Sequence, residues 1–212
     1  MNMVDGQIRP LALKNDAIAP AFASLPREIF VEKAFRGIAH CDDAAPVGSG
    51  RFLIAPHLLA RMIDAANIAP TATVLDVGCA SGYATAVLSR LAGCVIGVEE
   101  NATLARAAGT NLASLGIDNA AALCARMDMG CPAEAPFDAI LVSGGDIAAL
   151  PAPLMDQLAQ NGRLVAISAG RLIVATRRGD DISEISCGDA AAPSLSIVPN
   201  IIPGQHSPEI HP

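Results

Sequence analysis

The fold is decided by the stretch Val74-Leu75-Asp76-Val77-Gly78-Cys79-Ala80-Ser81-Gly82-Tyr83. Its first half is apolar and β-branched, with an acidic residue near its end, which is typical of a buried strand. The residues from Gly78 to Gly82 are small and predict a turn, after which an alanine-rich helix begins. Such a turn lets a ligand lie directly against the backbone at the carboxyl end of a strand, where open α/β sheets bind nucleotides.

A second strand supports a nucleotide site. Residues 94–98 are apolar and end directly before Glu99, and a carboxylate at this place can accept both hydroxyls of a ribose. The turn has the order G-x-A-x-G, whereas a dinucleotide fingerprint needs G-x-G-x-x-G, and no G-K-[ST] occurs in the chain. The spacing therefore favours a nucleoside without phosphates, such as S-adenosylmethionine. A tight turn that binds nothing is the alternative.

Composition limits the class of protein. The 212 residues suffice for one domain with a sizeable core. Hydrophobic residues make up 52% of the chain, largely alanine, yet no uninterrupted apolar run reaches the roughly 18 residues that a membrane span needs. The net charge of −7 argues against binding to a phosphate backbone. We therefore expect no nucleic-acid partner and no membrane partner.

Cysteine and histidine usage points to a compartment and argues against a metal. The six cysteines include no C-x-x-C pair, so we interpret them as small buried hydrophobes in a reducing cytoplasm. They are Cys41, Cys79, Cys94, Cys124, Cys131 and Cys187. Residues 1–7 lack the basic and apolar regions of a signal peptide, which also predicts a cytoplasmic location. His40, His206 and His211 share no ligand spacing with cysteines or carboxylates, so we expect no metal.

From residue 71 onward, strand and helix patterns alternate. The predicted strands are 73–77, 94–98, 120–124, 138–142 and 163–168, and the predicted helices are 82–92, 101–115 and 151–159, with a turn at Asn161-Gly162. This alternation predicts an α/β fold with a Rossmann-like, doubly wound, mostly parallel sheet. Residues 171–177 and 182–187 predict a hairpin that supplies an antiparallel edge.

The N-terminal part has a different pattern. Residues 15–40 place apolar side chains at helical spacing, broken by Pro20 and Pro26, and residues 46–50 are turn-like. Pro56 suits the first turn of a helix. We expect this helix to bury one face, formed by Leu58, Leu59, Met62, Ile63 and Ala66.

We treat residues 1–212 as a single domain with three sections. These are an N-terminal helical section (1–70), a Rossmann-like core (71–190) and a tail (191–212). The tail is proline-rich, which predicts partial disorder.

Six sequence blocks, in order, resemble the protein-L-isoaspartate (D-aspartate) O-methyltransferase family. The resemblance extends from about residue 3 to about residue 170, and the match is poor beyond it. The blocks are P-R-E-x-F-V at 26–31, P-x-G-x-G with a following proline at 46–56, the cofactor loop at 74–83, Val98-Glu99, A-P-[FY]-D-x-I at 135–140, and Leu150 to Val165.

The resemblance implies a fold, a reaction and a set of binding residues. The fold is that of class I S-adenosylmethionine-dependent methyltransferases, with section 1–70 on the substrate side. The reaction is methylation of isoaspartyl carboxylates in damaged proteins, which initiates repair, with S-adenosyl-L-methionine as the cofactor. The implied cofactor-binding residues are Asp76, Gly78, Cys79, Ala80, Ser81, Gly82, Tyr83, Glu99, Glu100, Met127, Asp128 and Ser143. We expect Asp76 to order the loop by accepting backbone N–H bonds.

The chain departs from the family pattern where the chemistry takes place. A threonine and a catalytic serine of the family correspond to Phe52 and Ile54, which we interpret as core residues, and its neighbouring glutamine corresponds to Arg51. In addition, Ala80 replaces the middle glycine of the cofactor loop, and Arg126 replaces an acidic residue on the adenine side. The catalytic residues therefore stay unknown, with Ser49, Arg51 and His57 as candidates.

Three functions remain open at this point. The first is methylation of isoaspartyl carboxylates, which needs no general base because a carboxylate is already ionised at neutral pH. The second is methylation of a different, more apolar acceptor. The third is binding of S-adenosylmethionine without catalysis, which a cofactor cleft narrowed by Ala80 and Arg126 would favour.

Overall fold

The structure of the protein, a computed structural model, describes residues 3–197. The strands within this range are β1 (Ala45–Gly48), β2 (Arg51–Leu53), β3 (Thr73–Val77), β4 (Cys94–Glu99), β5 (Ala120–Cys124), β6 (Phe137–Ile147), β7 (Leu158–Ser168), β8 (Arg171–Arg178) and β9 (Asp181–Asp189). The α-helices are α1 (Ile18–Ala23), α2 (Pro56–Ala66), α3 (Tyr83–Ser89), α4 (Ala102–Ser114) and α5 (Ala152–Asp156). Short 3₁₀ and π-helical turns connect several of them.

Seven strands form one sheet in the order β5-β4-β3-β6-β7-β8-β9. The five strands from β5 to β7 in this order pair in parallel, and β8 and β9 add an antiparallel edge. The strand order reverses at β3, which pairs with β4 on one side and β6 on the other. Open α/β sheets bind ligands at such a switch point. The topology confirms the predicted fold class and places the small-residue turn at the expected edge.

The parallel strands send alternate side chains to two separate cores. Val74 packs on the face that carries α2, α3, α4 and the N-terminal section. Leu75 and Val77 pack on the other face, with Leu154 of α5. Because both faces are covered, the central strands are apolar along their whole length rather than alternating.

Helix α2 begins as the sequence predicts. Pro56 stands at its first position, where a missing N–H costs nothing, and Asn67 ends it in a left-handed conformation with φ +52°. Each of the five side chains predicted to form its buried face is at most 4% exposed. The helix therefore anchors the N-terminal section on the sheet.

Two predicted turns have a different structure. Residues 46–50 belong mostly to β1, which pairs with β2 in a two-stranded hairpin, since Pro46 and Val47 adopt extended backbone and only Ser49-Gly50 turns. Asn161-Gly162 lies inside β7, because the pairing with β6 shifts register there and absorbs the φ of +63° at Asn161 as an irregularity. Both segments contain turn residues, but strand pairing determines their conformation.

The lengths of two helices also differ from the prediction. Helix α3 ends at Ser89 rather than at 92. Leu91 N donates to Leu88 O at 2.9 Å, three residues back, which forms a turn after the helix. Helix α5 ends at Asp156 rather than at 159, since Leu158 already begins β7. By contrast, α4 covers 102–114 and is followed by Gly116 at φ +63°, close to the prediction.

Strand β6 bulges at its carboxyl end. Its pairing with β7 jumps from Val142 to Asp146, so residues 143–145 leave the ladder. The C-terminal segment fills this gap, because Asp146 N donates to Pro193 O at 2.8 Å and Leu195 N donates to Asp146 O at 2.7 Å. The bulge therefore joins the switch point to the start of the tail. The rest of the tail, with His206 and His211, lies outside the described residues.

The cysteines correct one expectation. Only Cys79 is buried and Cys131 is half-buried, whereas Cys41, Cys94, Cys124 and Cys187 are exposed, and all six are free thiols. Of the four exposed cysteines, Cys41 lies in a connection, Cys94 and Cys124 lie at strand ends, and Cys187 lies in the edge strand β9, so these four are not core hydrophobes. No helix within residues 3–197 combines the length and the apolar character needed to cross a bilayer.

Substitution of Gly97 tests the packing of β4 against the turn. A Cβ at Gly97 would lie 2.8 Å from Thr85 Oγ1 and 3.0 Å from Cys79 Sγ, so we expect Gly97→Ala to lower the free energy of unfolding by about 1–3 kcal/mol. Gly109→Ala in α4 is the matched control, because its Cβ meets nothing within 4 Å and should raise stability by about 0.5–1 kcal/mol. Urea midpoints measure both, and equal shifts would contradict the packing.

Candidate functional site

Glu99 is the carboxylate at the switch point. It ends β4 and is fully buried, as the sequence predicts for a ribose ligand. Its Oε1 accepts a hydrogen bond from Asn101 N at 3.0 Å, and its Oε2 accepts one from Ala80 N at 3.0 Å. Asn101 also caps α4 by accepting from Thr103 N and Leu104 N. Glu99 is therefore held by backbone donors from both sides of the crevice.

Arg51 forms an ion pair with this carboxylate. Its Nη1 donates to Glu99 Oε1 at 3.0 Å, and its Nη2 donates to Gly78 O at 3.0 Å. The pair is nearly dry, with Arg51 12% exposed and Glu99 not exposed. Arg51 is one of the catalytic candidates from the sequence, but its guanidinium lies on the predicted ribose side of the crevice.

Glycines make this close approach possible. A Cβ at Gly144 would lie 2.6 Å from Arg51 Nη2 and 2.8 Å from Leu195 Cδ2, and one at Gly78 would lie 3.0 Å from the same nitrogen. Leu195 is 4% exposed. Arg51 and Leu195 thus cover the two glycines together, and any larger side chain at either glycine would displace them.

Backbone bonds hold the small-residue turn (residues 78–82) against β4. Gly78 N and Cys79 N both donate to Val98 O, at 2.8 and 3.1 Å. Ala80 has φ +50°, a left-handed conformation that costs a non-glycine residue about 1 kcal/mol. Because Ala80 N reaches Glu99 only in this conformation of the turn, the hydrogen bond offsets the strain.

Ser81 connects the turn to the rest of the molecule. Its hydroxyl donates to Phe30 O at 2.5 Å, and its carbonyl accepts from Asn111 Nδ2 at 2.9 Å. The turn is therefore fixed between the N-terminal section and α4. Gly82, with φ +92°, completes it before α3 begins.

Asp76 does not act through backbone N–H groups as predicted. Its oxygens accept hydroxyl hydrogen bonds from Ser143, in the bulge, and from Thr85, in α3, at 2.6 Å. Hydroxyl donors replace backbone donors because the carboxylate points away from the turn and between β6 and α3. Complete burial raises the pKa of Asp76 to about 6, although both hydroxyl bonds act in the opposite direction.

Tyr83 lies in the core rather than along an open cleft. Its ring packs edge-on against Phe22 and Phe30, with centroid distances of 6.1 and 5.3 Å. Arg27 stacks over the ring at 4.5 Å and donates to Ala39 O and Ile54 O. Burial lowers the pKa of Arg27 and raises that of Tyr83. Sequence reasoning missed this anchor, although Arg27 stands in the P-R-E-x-F-V block.

The residues expected on the adenine side are spread over several environments. Met127 is buried, and its sulfur lies 3.5 Å from Arg51 Nη1. Asp128 forms a two-pronged ion pair with Arg126, at 3.0 and 2.6 Å, which lowers the pKa of Asp128. Glu100 is exposed at the bend after β4. Since Arg126 points to Asp128 and is 56% exposed, it does not narrow the crevice.

The acceptor-side candidates do not converge on one point. Ser49 is exposed at the tip of the β1–β2 hairpin, with φ +53°, and His57 Nδ1 contacts Asp42 Oδ1 at 2.5 Å near the surface. Ile54 is 2% exposed, which confirms it as a core residue, whereas Phe52 is only half-buried. Both line a cavity of about 10 Å³ that borders Gly78, Ala80 and Ser143. Phe52 and Ile54 therefore form an apolar wall beside the turn, and Arg27, whose Nη1 has no hydrogen-bond partner among the described residues, lines the same cavity.

The arrangement offers a buried carboxylate but no open space beside it. Oε1 of Glu99 already accepts from Asn101 N and Arg51 Nη1, and Oε2 accepts from Ala80 N, so a second acceptor position stays unused in the described residues only on Oε2. The place beside it is taken by Arg51 and Leu195. Within residues 3–197, no three potential metal ligands cluster. No local pattern indicates Leu195 or Thr85, because their contacts depend on the fold, whereas Asn101 directly before a predicted helix is a local N-cap signal.

Comparison with known sequences identifies relatives of this chain. A family model described as protein-L-isoaspartate(D-aspartate) O-methyltransferase (PCMT) matches residues 2–184. The protein-L-isoaspartate O-methyltransferase of Roseiflexus castenholzii is 41% identical over 184 residues, which cover 85% of this chain and 84% of the relative. That of Syntrophus aciditrophicus is 39% identical over 189 residues, 87% and 86% of the two chains.

Solved structures share the fold. A protein-L-isoaspartate O-methyltransferase superposes with a TM-score of 0.80 at 22% identity; the match covers 92% of this chain and 65% of that longer chain. A Plasmodium falciparum structure with the same description, in complex with S-adenosyl-L-homocysteine, gives a TM-score of 0.76 at 23% identity, with 93% and 100% covered. At such identity these matches show the fold alone.

The pKa of Asp76 predicts a pH dependence of stability. The folded-state pKa of about 6 lies above the ordinary 3.8, so the folded protein binds the proton more tightly between these values. Stability should therefore be full below pH 4 and fall, by about 3 kcal/mol at 1.36 kcal/mol per unit, as the pH rises through 6. Urea unfolding from pH 4 to 7 should show this fall in the wild type and lose it in Asp76→Asn. The same slope in both proteins would contradict the assignment.

Proposed function

Because the chain belongs to the protein-L-isoaspartate (D-aspartate) O-methyltransferase family, we propose a role for each part of the crevice in that reaction. The protein is a methyltransferase that uses S-adenosyl-L-methionine and acts on isoaspartyl residues of proteins. The cofactor supplies an activated methyl group when it is bound. The rest of the catalysis is the work of side chains and backbone that hold the acceptor in line with it.

Glu99 carries the proposal for the cofactor side. We assign it the ribose hydroxyls, because it is a fully buried carboxylate at the carboxyl end of β4, beside the switch point where open α/β sheets bind nucleotides. The small-residue turn lies against it, so an adenosyl group held by Glu99 would contact Gly78, Cys79 and Ala80. Met127, Asp128, Glu100 and Ser143 are proposed as its outer contacts.

The acceptor side is proposed to work by positioning alone. An isoaspartyl carboxylate needs no general base at neutral pH, so Phe52 and Ile54 need only shape the approach. They offer no hydrogen bond to a carboxylate, however, and an unpartnered carboxylate against an apolar wall is costly. The buried apolar wall therefore supports a second candidate, methylation of a less polar acceptor, with the same cofactor site.

We also propose a cytoplasmic location. All six cysteines are free thiols, and four of them are exposed, which suits a reducing compartment. An isoaspartyl-containing protein is the proposed physiological partner.

Methyl transfer to paired peptides tests the function. We expect the wild-type protein to transfer a radiolabelled methyl group to a peptide with one isoaspartyl residue, but not to the same peptide with aspartate. The two peptides share composition and charge. They differ only in whether the backbone continues through the α-carbonyl or through the side-chain carbonyl of that residue. Transfer to neither peptide, with S-adenosylhomocysteine still raising the melting temperature, would favour the less polar acceptor instead.

Substitution of Glu99 tests the ribose assignment. Because Arg51 also loses its partner, the comparison is best made between Arg51→Ala and the double variant Arg51→Ala/Glu99→Gln. Loss of a charged acceptor should weaken S-adenosylhomocysteine binding by about 1.5–3 kcal/mol, which calorimetry resolves. Glu134→Gln is the control, because Glu134 is an exposed carboxylate just before the amino end of β6. Equal affinities of Arg51→Ala and Arg51→Ala/Glu99→Gln would refute the ribose role.

A further inference from the structure

Arg51 and the cofactor need the same oxygen of Glu99. The guanidinium donates to Oε1, which also accepts from Asn101 N, while Oε2 accepts from Ala80 N alone. A ribose that places one hydroxyl on each oxygen needs the position on Oε1 that the guanidinium now uses. The two donors therefore compete for one buried carboxylate.

Arg51 also blocks the path along the turn. Its Nη2 binds Gly78 O and lies only 2.6 Å from where a Cβ on Gly144 would stand, so the guanidinium fills the gap between these two glycines. Leu195 lies over the same pair. No group of nucleoside size fits beside Gly78 while Arg51 keeps this position.

The hydrogen bonding of the Arg51 guanidinium is incomplete. Nε is buried and has no hydrogen-bond partner among the described residues. Nη1 makes, besides its bond to Glu99, a weak contact with the sulfur of Met127 at 3.5 Å. A buried donor left unsatisfied costs free energy, so this pair is weaker than a fully bonded one. Arg51 lies at the start of the short strand β2, next to the turn at Ser49-Gly50, whose two residues are exposed.

We propose that Arg51 is a gate residue that occupies the ribose position on Glu99 and must leave it for the cofactor to bind. The gate rests on the proposed role of Glu99. The affinity for the cofactor then depends on the free-energy difference between the interaction of the ribose with Glu99 and that of Arg51 with Glu99. The gate also ties occupancy of the cofactor site to the position of the β1–β2 hairpin, which carries the acceptor-side wall at Phe52.

Calorimetry with S-adenosylhomocysteine tests the gate on the full chain. Arg51→Ala should bind at least about tenfold more tightly than the wild type, because the competing donor is gone. Arg171→Ala is the matched control, since it removes an arginine of β8 that pairs with Asp189 of the edge strand β9, and should leave the affinity unchanged. An affinity of Arg51→Ala equal to or weaker than that of the wild type would overturn the proposal.

Two further variants keep the test decisive. If Arg51→Ala does not fold, Arg51→Gln retains one donor for Glu99 and should bind with an affinity between those expected for Arg51→Ala and measured for the wild type. Leu195→Ala leaves the ion pair intact and should tighten binding less than Arg51→Ala. The reverse order would place the barrier in the C-terminal segment and overturn the role of Arg51.

The outcomes also separate the gate from the function. Equal, measurable binding by the wild type and every Arg51 variant would leave the cofactor role of Glu99 standing and remove the gate. Binding by none of them would overturn the cofactor role of Glu99, and the gate with it.

Discussion

A buried carboxylate, Glu99, is the constraint around which the switch point is organised. Removing its hydration costs several kcal/mol, so the surrounding chain must supply donors. Ala80 N and Asn101 N do so from the backbone, and Arg51 adds a cation. The left-handed backbone at Ala80 and the start of α4 at Asn101 both follow from this requirement. One buried charge thus contacts the turn, the start of the helix and the hairpin.

Local pattern was sufficient for the sheet but not for its irregularities. Strand β3 is apolar along its length because both faces are covered, and this shows in Val74 and Leu75 without knowledge of their partners. Asn161-Gly162 looks like a turn on its own, yet its neighbours pair with β6 and draw it into β7. Predicted element boundaries are wrong where pairing with a distant strand outweighs the local conformational preference of the residues.

The same division explains the site. Glu99 and the small-residue turn were predictable because each lies at a strand end, and parallel strands bring their ends to one edge. The donors to Asp76 were not, because Ser143 reaches it only through the bulge in β6. Arg51 stands 48 residues from Glu99, and nothing in the sequence near either residue indicates the pair. Side-chain partners across the fold require the structure.

The location of positive charge has a consequence for how the two sites interact. Ala39 O and Ile54 O hold the guanidinium of Arg27 on the ring of Tyr83, which leaves its Nη1 as the one nitrogen of that group without a hydrogen-bond partner among the described residues. The guanidinium of Arg51 is not free for an acceptor carboxylate while it is bonded to Glu99. An acceptor carboxylate that uses Arg51 does so only when the guanidinium has left Glu99, and a ribose on Glu99 needs the same departure. One guanidinium with two mutually exclusive partners would thereby couple the two sites, so that the cofactor and the acceptor each favour binding of the other.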